Sequence, residues 1–399
     1  MTRPFRRRVL YIPGYDPIPP RRYRELYKRE GAEQARISGY GLDFGARRDR
    51  QGFGWGVTGR FGDLGAESEI EVLVWADIVA GSMGQSIPAT YGQLVRTAWA
   101  YISTGALFRL MLLRRGPVIA ALYPVVVLLA QLLAALLVGG LIGWALARLT
   151  GLGWGLGLPV TLALTWAGLV LWRRLDGRIF AYYLMHDYAF TARDGGAYPP
   201  ALETRLAQFT DRIAQVLAAD WDEVLVVGHS SGAYLGVSVL ADLIRSGRVP
   251  GRGARLSYLS LGHVVPMASY LPRANRLRAD LAYLSARTEL DWVDVSAPGD
   301  ACCFGLCDPV AVSGVEPPGR IQPLVLSAAF TQTLSPDKRR ALRGHWFRLH
   351  FQYLCAFDRP GDYDYFAITA GPQSLGQRFA GRSHSPGRIT RPANGFTAT

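Results

Sequence analysis

Apolar positions along the 399-residue chain fall into three kinds of run. Short runs rich in Val, Ile and Leu and bounded by turn residues occur at Val9–Ile12, Ile70–Trp75, Glu223–Val227, Leu256–Leu261, Trp292–Val295 and Ile321–Leu326. Runs of that length and composition predict buried strands. Between them, apolar residues recur at helical spacing. Leu202, Leu206, Phe209, Ile213 and Leu217 form one stripe, Ala233–Ile244 predicts a second helix, and a third runs from about Tyr91 to Met111. Strands alternating with helices predict an α/β fold with a mainly parallel sheet and flanking helices.

The third kind of run is long. Gly116–Ala147 and Leu149–Trp172 contain no charged residue, and only Arg148 separates them. Each exceeds the roughly 20 apolar residues that a spanning helix needs. They predict a transmembrane hairpin over 113–175, with spans at about 118–143 and 152–172. Gly139, Gly140, Gly143, Gly151, Gly153 and Gly155 suit close helix approach and a tight turn. Trp144, Trp154 and Trp172 suit the interfaces.

The hairpin divides the α/β domain into a first part over 1–112 and a second over 176–372. The basic start before Val9 resembles a signal peptide, but the following apolar run is too short, so it reads as the first strand. Between Gly39 and Gly65, glycines interleave with Tyr40, Phe44, Phe53, Trp55 and Phe61, which predicts an irregular β-hairpin extension rather than a phosphate-cradling loop. Residues 373–399, rich in Gly, Ser, Pro and Arg, predict a disordered basic tail.

Charge refines this reading. The net charge is +13, from 44 Lys+Arg against 31 Asp+Glu. No nucleic-acid module accompanies it, so the excess is read as membrane topology. Arg109, Arg114 and Arg115 precede the first span and Arg173, Arg174 and Arg178 follow the second, whereas the turn carries Arg148 alone. Both arms are therefore expected in the cytoplasm, at the inner membrane if the source is bacterial. Four cysteines make no disulfide framework. Cys302, Cys303 and Cys307 cluster without a CxxC pair or a nearby histidine, so they are read as packing residues, and neither metal nor cofactor is expected.

The chemistry centres on Asp222–Val237, where a β-branched run enters Gly228-His229-Ser230-Ser231-Gly232 and a small-residue helix leaves it. G-x-S-x-G between strand and helix makes Ser230 a candidate nucleophile. The competing reading is a helix-capping serine in a non-catalytic turn. The motif resembles the α/β-hydrolase superfamily, in particular its lipase- and esterase-like members, over Val9 to about Phe366 outside the hairpin. That resemblance implies the chain order Ser, acid, His. Asp300, in the turn after the Trp292–Val295 strand, is then the acid, with Asp308 as second choice and Asp294 within the strand. His350, in an H-x-x-Y setting with Tyr353, is preferred over His345, and His384 falls in the tail. An oxyanion hole would combine the amides of Ser231 and Tyr15, although the family's histidine is missing from Pro13-Gly14-Tyr15.

The expected function is membrane-anchored serine ester hydrolysis, with a small-molecule or lipid ester as substrate. Two readings stay open beside it: acyl transfer by the same triad, and a catalytically silent hydrolase fold serving as a membrane scaffold or binding module. A transporter is disfavoured, because the spans carry no charged or polar pair.

Overall fold

A computed structural model describes residues 3–49 and 51–399. Eight strands form one sheet: β1 (Phe5–Ile12), β2 (Gly41–Gly45), β3 (Phe53–Phe61), β4 (Leu64–Val72), β5 (Glu223–His229), β6 (Arg255–Leu261), β7 (Leu290–Ser296) and β8 (Leu324–Ser327), in the order β2-β3-β4-β1-β5-β6-β7-β8. From β4 through β1 to β8 every neighbour is parallel, while β2, β3 and β4 pair antiparallel. The sheet is thus mixed rather than wholly parallel. The glycine-rich stretch expected to be irregular supplies β2 and β3 as regular strands, since alternating glycines leave the backbone free to pair where side chains would crowd. A Cβ at Gly54 or Gly59 would stand 2.1 Å from a carbonyl oxygen, of Ile70 or Ala370.

The helices used below are α1 (Arg21–Ser38), α2 (Ala76–Met83), α3 (Ile87–Ser103), α4 (Ala106–Leu113), α5 (Arg115–Thr150), α6 (Trp154–Arg174), α7 (Asp176–Ile179), α8 (Ala181–Ala192), α9 (Pro200–Leu217) and α10 (Ser231–Arg245). Alternation along the strands divides the core in two. Leu10, Ile12, Val224, Val226, Tyr258 and Trp292 pack on α9 and α10. Val9, Tyr11, Leu225, Val227, Leu259 and Val295 face α1 and the aromatic segment from Tyr353 to Phe379. Arg7 and Arg8 in β1 are buried and paired, Arg7 with Glu223 and Arg8 with Glu69 and Glu71.

The single helix expected over 91–111 is two. Gly105, at φ 72°, breaks it between α3 and α4. Beyond α4, α5 runs 36 residues and α6 runs 21, with mean hydropathy of 2.7 and 1.6 in their most apolar stretches. Both are long and apolar enough to cross a membrane. Only 22% and 17% of those stretches are buried within the protein, which is unlike core helices of a soluble domain. Gly139 and Gly143 permit the close contact expected of them: a Cβ at Gly143 would stand 2.4 Å from the Gly157 carbonyl. Gly151 and Gly153 supply positive φ in the turn, whereas Gly140 and Gly155 face open space.

The segment 373–399 contradicts the disordered tail expected from its composition. It begins with a capped helical turn at Leu375–Arg378. It then runs along the β8 edge, where Ser385 N donates to Val325 O, and beside Leu306–Asp308, where Ile389 N donates to Leu306 O and Ile389 O accepts from Asp308 N. Backbone pairing fixes a polar strap of this kind without the apolar residues that composition scores.

Candidate active site

The chain leaves β1 toward β4 and returns to β5 on the other side, so the loops after β1 and β5 part at the C-terminal edge of the sheet, where open α/β sheets bind ligands. All seven residues of β5 are buried. The turn that follows is tight enough to require glycine on both flanks. A Cβ at Gly228 would stand 2.5 Å from Gly232 O, and one at Gly232 would stand 2.1 Å from Ile12 O. Ser230 between them adopts φ 59° and ψ −121°. A non-glycine residue in such a region costs about 1–3 kcal/mol and persists only where its surroundings hold it. Here Ser230 N donates to Leu261 O at 2.9 Å, and α10 begins at once, its positive dipole end at the serine.

Asp300 and His350 come together. His350 Nδ1 lies 2.7 Å from Asp300 Oδ2, both side chains buried. Asp300 is held from two other sides: Tyr353 Oη donates to Oδ2 at 3.1 Å and the Cys302 amide donates to Oδ1 at 2.9 Å. Burial alone would raise this carboxyl, but His350 and the Cys302 amide outweigh it and keep the group below its ordinary value. Tyr353 is itself fixed by accepting from Ala297 N at 2.9 Å. The histidine closes a short helix, Trp346–His350, rather than opening one.

His229 completes the packing behind the dyad. Its ring lies 4.7 Å from that of His350, and its Nε2 donates to His350 O at 3.0 Å, which fixes its tautomer because a carbonyl only accepts. Burial, with the neighbouring His350, drives its pKa down to about 3, so this imidazole stays neutral.

No family model, curated protein or solved structure matches this chain. The site is therefore read from its own geometry.

Ser230, Ser231 and His350 line one cavity of about 540 Å³. Ser230 Oγ makes no hydrogen bond to His350 among the described residues, although both line this cavity. The loop after β1 closes the other side: a Cβ at Gly14 would stand 2.9 Å from Ser230 Cβ. Three contacts pin that loop. Trp75 Nε1 donates to Pro13 O at 2.9 Å, Tyr183 Oη donates to Tyr15 O, and the Tyr15 hydroxyl pairs with Ser82. The amides of Tyr15 and Ser231 have no protein acceptor among the described residues.

The second-choice partners lie elsewhere. His345 is exposed at the cavity rim, and its ring has no hydrogen-bond partner among the described residues. Asp308 caps the turn at Val310 and Ala311 and pairs with Arg320. His384, placed in the tail, accepts from Val325 N. Of the cysteines, Cys303 and Cys307 are buried free thiols, while Cys302 lines the cavity. Ligand-capable atoms of Asp300, Cys302 and His350 lie within 4.8 Å of one another. His350 Nδ1 is already engaged by Asp300, so the trio is a hydrogen-bonded pair with a thiol beside it.

One cavity residue was not singled out by sequence reasoning. Asp187 on α8 lines the pocket with no hydrogen-bond partner for its carboxyl among the described residues. Burial raises its pKa to about 7, with His350 opposing. The sequence did carry a signal: Asp187 is the only acid in the aromatic, apolar stretch Ala181–Ala192.

Proposed function

We propose that the protein is a membrane-anchored serine hydrolase of the α/β-hydrolase type that cleaves an ester. The observation that carries this reading is Ser230, strained at the β5–α10 turn and sharing a cavity with a buried Asp300–His350 pair.

In the proposed reaction, Ser230 Oγ attacks the ester carbonyl carbon while His350 Nε2 takes its proton. The imidazolium so formed is stabilised by Asp300, which Tyr353 and the Cys302 amide hold in place. The tetrahedral oxyanion accepts from the amides of Ser231 and Tyr15, preorganised donors of the kind that contribute most to such reactions. Collapse breaks the ester C–O bond, and His350 returns the proton to the leaving alkoxide. Water then adds to the acyl-enzyme with the same histidine as base, releasing the acid and regenerating Ser230.

The hairpin belongs to this reading as an anchor, with the hydrolase domain on the cytoplasmic face. The missing hydrogen bond between Ser230 Oγ and His350 among the described residues favours, as a second reading, a silent hydrolase fold acting as a scaffold. Catalytic hydrogen bonds are often long before substrate binds, which keeps hydrolysis first. An alcohol in place of water would make the same residues an acyltransferase.

A fluorophosphonate probe on the full chain in detergent separates the two. Labelling that disappears in Ser230→Ala, with p-nitrophenyl butyrate hydrolysis reduced at least a thousandfold, is the expected result. Absence of labelling in the wild type, or labelling that persists in Ser230→Ala, selects the scaffold.

A further inference from the structure

The candidate active-site cavity is partly walled by the hairpin itself. Pro117, Ala120 and Tyr123, on the first turns of α5, line it together with Ile179 and Phe180 just beyond α6. A second, apolar cavity of about 110 Å³ lies between α3, α4 and α5, and it shares Tyr188 and Met267 with the first. Its α5 wall climbs from Val118 through Ala121 to Val125, about 10 Å at the helical rise.

The packing of the hairpin gives the depth of this groove. Gly143 meets Gly157, Gly139 meets Thr161, and Ala135 meets Thr165, so α5 falls one residue for each gained on α6. Continued to the end of α6, that pairing brings Arg173 and Arg174 level with Val127 and Val126. Arginines at the end of an apolar span mark the cytoplasmic interface. Ala120 then lies about 9 Å beneath that interface, and the groove and the cavity flank the same stretch of α5 just below it, with the groove reaching up to Val125.

We infer that this groove carries a long acyl chain from the bilayer to Ser230, so that the substrate is a long-chain acyl ester of a membrane lipid. The inference rests on the hydrolase reading above. It adds the route, the chain and the residues that select it. An acyl chain that passes from the bilayer into the groove stays in apolar surroundings along the whole route. A short ester has no chain to occupy the groove and reaches Ser230 without it. Tyr188 and Met267 line both cavities and so form the gate of this route.

The full chain, reconstituted in phosphatidylcholine vesicles, is assayed with p-nitrophenyl palmitate and p-nitrophenyl butyrate. The wild type is expected to prefer palmitate by at least tenfold in kcat/KM. Ala121→Trp and Leu107→Trp fill the groove from opposite walls, and each lowers the palmitate-to-butyrate ratio at least tenfold with its melting temperature held. Equal use of the two esters by the wild type, or a ratio unmoved by both variants, overturns the inference. Fluorescent palmitate binding to Ser230→Ala keeps the result separate from the hydrolase reading. Binding lost on adding Ala121→Trp supports the groove even where no ester is turned over, and binding indifferent to that change overturns it.

Discussion

Asp187 is the residue whose behaviour departs furthest from its type. Its carboxyl faces the cavity among Tyr188, Tyr234 and Cys302, with His350 the nearest group that favours its charge, and burial carries its pKa to about 7 against an ordinary 3.8. The folded state therefore binds a proton that the unfolded chain releases between about pH 4 and pH 7. Stability contributed by the neutral acid is full below pH 4 and is lost as pH rises through 7. Asp187→Asn removes that dependence. Urea midpoints measured from pH 4 to 8 should fall across this window in the wild type and stay flatter in the variant; parallel curves would show that Asp187 titrates normally. The same residue marks a limit of sequence reading. An acid in an aromatic helix is visible in the sequence, but its environment is built by α10 and by residues near 302 and 350, far away in the chain. Ser230, Asp300 and His350 were legible because each sits in a local pattern: a strand–turn–helix elbow, a Pro-Gly-Asp turn after a strand, and a histidine three residues before Tyr353. The structure brings Asp300 and His350 into contact, while no hydrogen bond joins Ser230 to His350 among the described residues, a relation that local pattern does not reach.

Among the elements, the C-terminal strap carries the largest correction. β8 is only four residues long and ends the sheet, which leaves its outer backbone groups free to pair with another chain. The strap answers them. Val325 N donates to His384 Nδ1 at 3.1 Å, Ser385 N donates to Val325 O at 2.9 Å, and Ser327 N donates to Ser385 Oγ at 2.9 Å. Composition suggested disorder because it measures apolar content, and this segment is ordered by polar pairing to an edge that exists only once the sheet has formed. A chain truncated after Gly381 should fold, lose amide-exchange protection at Val325 and Ser327, and self-associate through β8. Unchanged protection and a monodisperse truncated chain would mean the strap is dispensable. The elbow and the amphipathic α9 were predicted closely, since strand and helix periods are local. β2 and β3 were harder to read because glycine carries no periodic signal.

At the scale of the whole molecule, the hairpin enters the chain between β4 and β5, and the site lies where β1 of the first half pairs with β5 of the second. Leu133, Val138 and Leu141 on α5 and Leu158, Leu162 and Trp166 on α6 are exposed apolar side chains. Large apolar side chains exposed along two such helices are what the proposed bilayer anchor requires. The proposed direction rests on charge, with three arginines before the first span and three after the second against Arg148 in the turn. Two exposed positions report it: Thr150 at the turn, and Ser246 after α10 in the α/β domain. In intact cells an impermeant maleimide should label Thr150→Cys and spare Ser246→Cys, which becomes reactive on permeabilisation. The native thiols interfere little, because Cys303 and Cys307 are buried, and burial pushes the Cys302 thiol well up and the Cys355 thiol up to about 12. Labelling of Ser246→Cys from outside would invert the topology. Labelling of both only after permeabilisation would place the hairpin within the cell and detach the groove beneath it from any lipid supply, and the acyl route to Ser230 would fall with it.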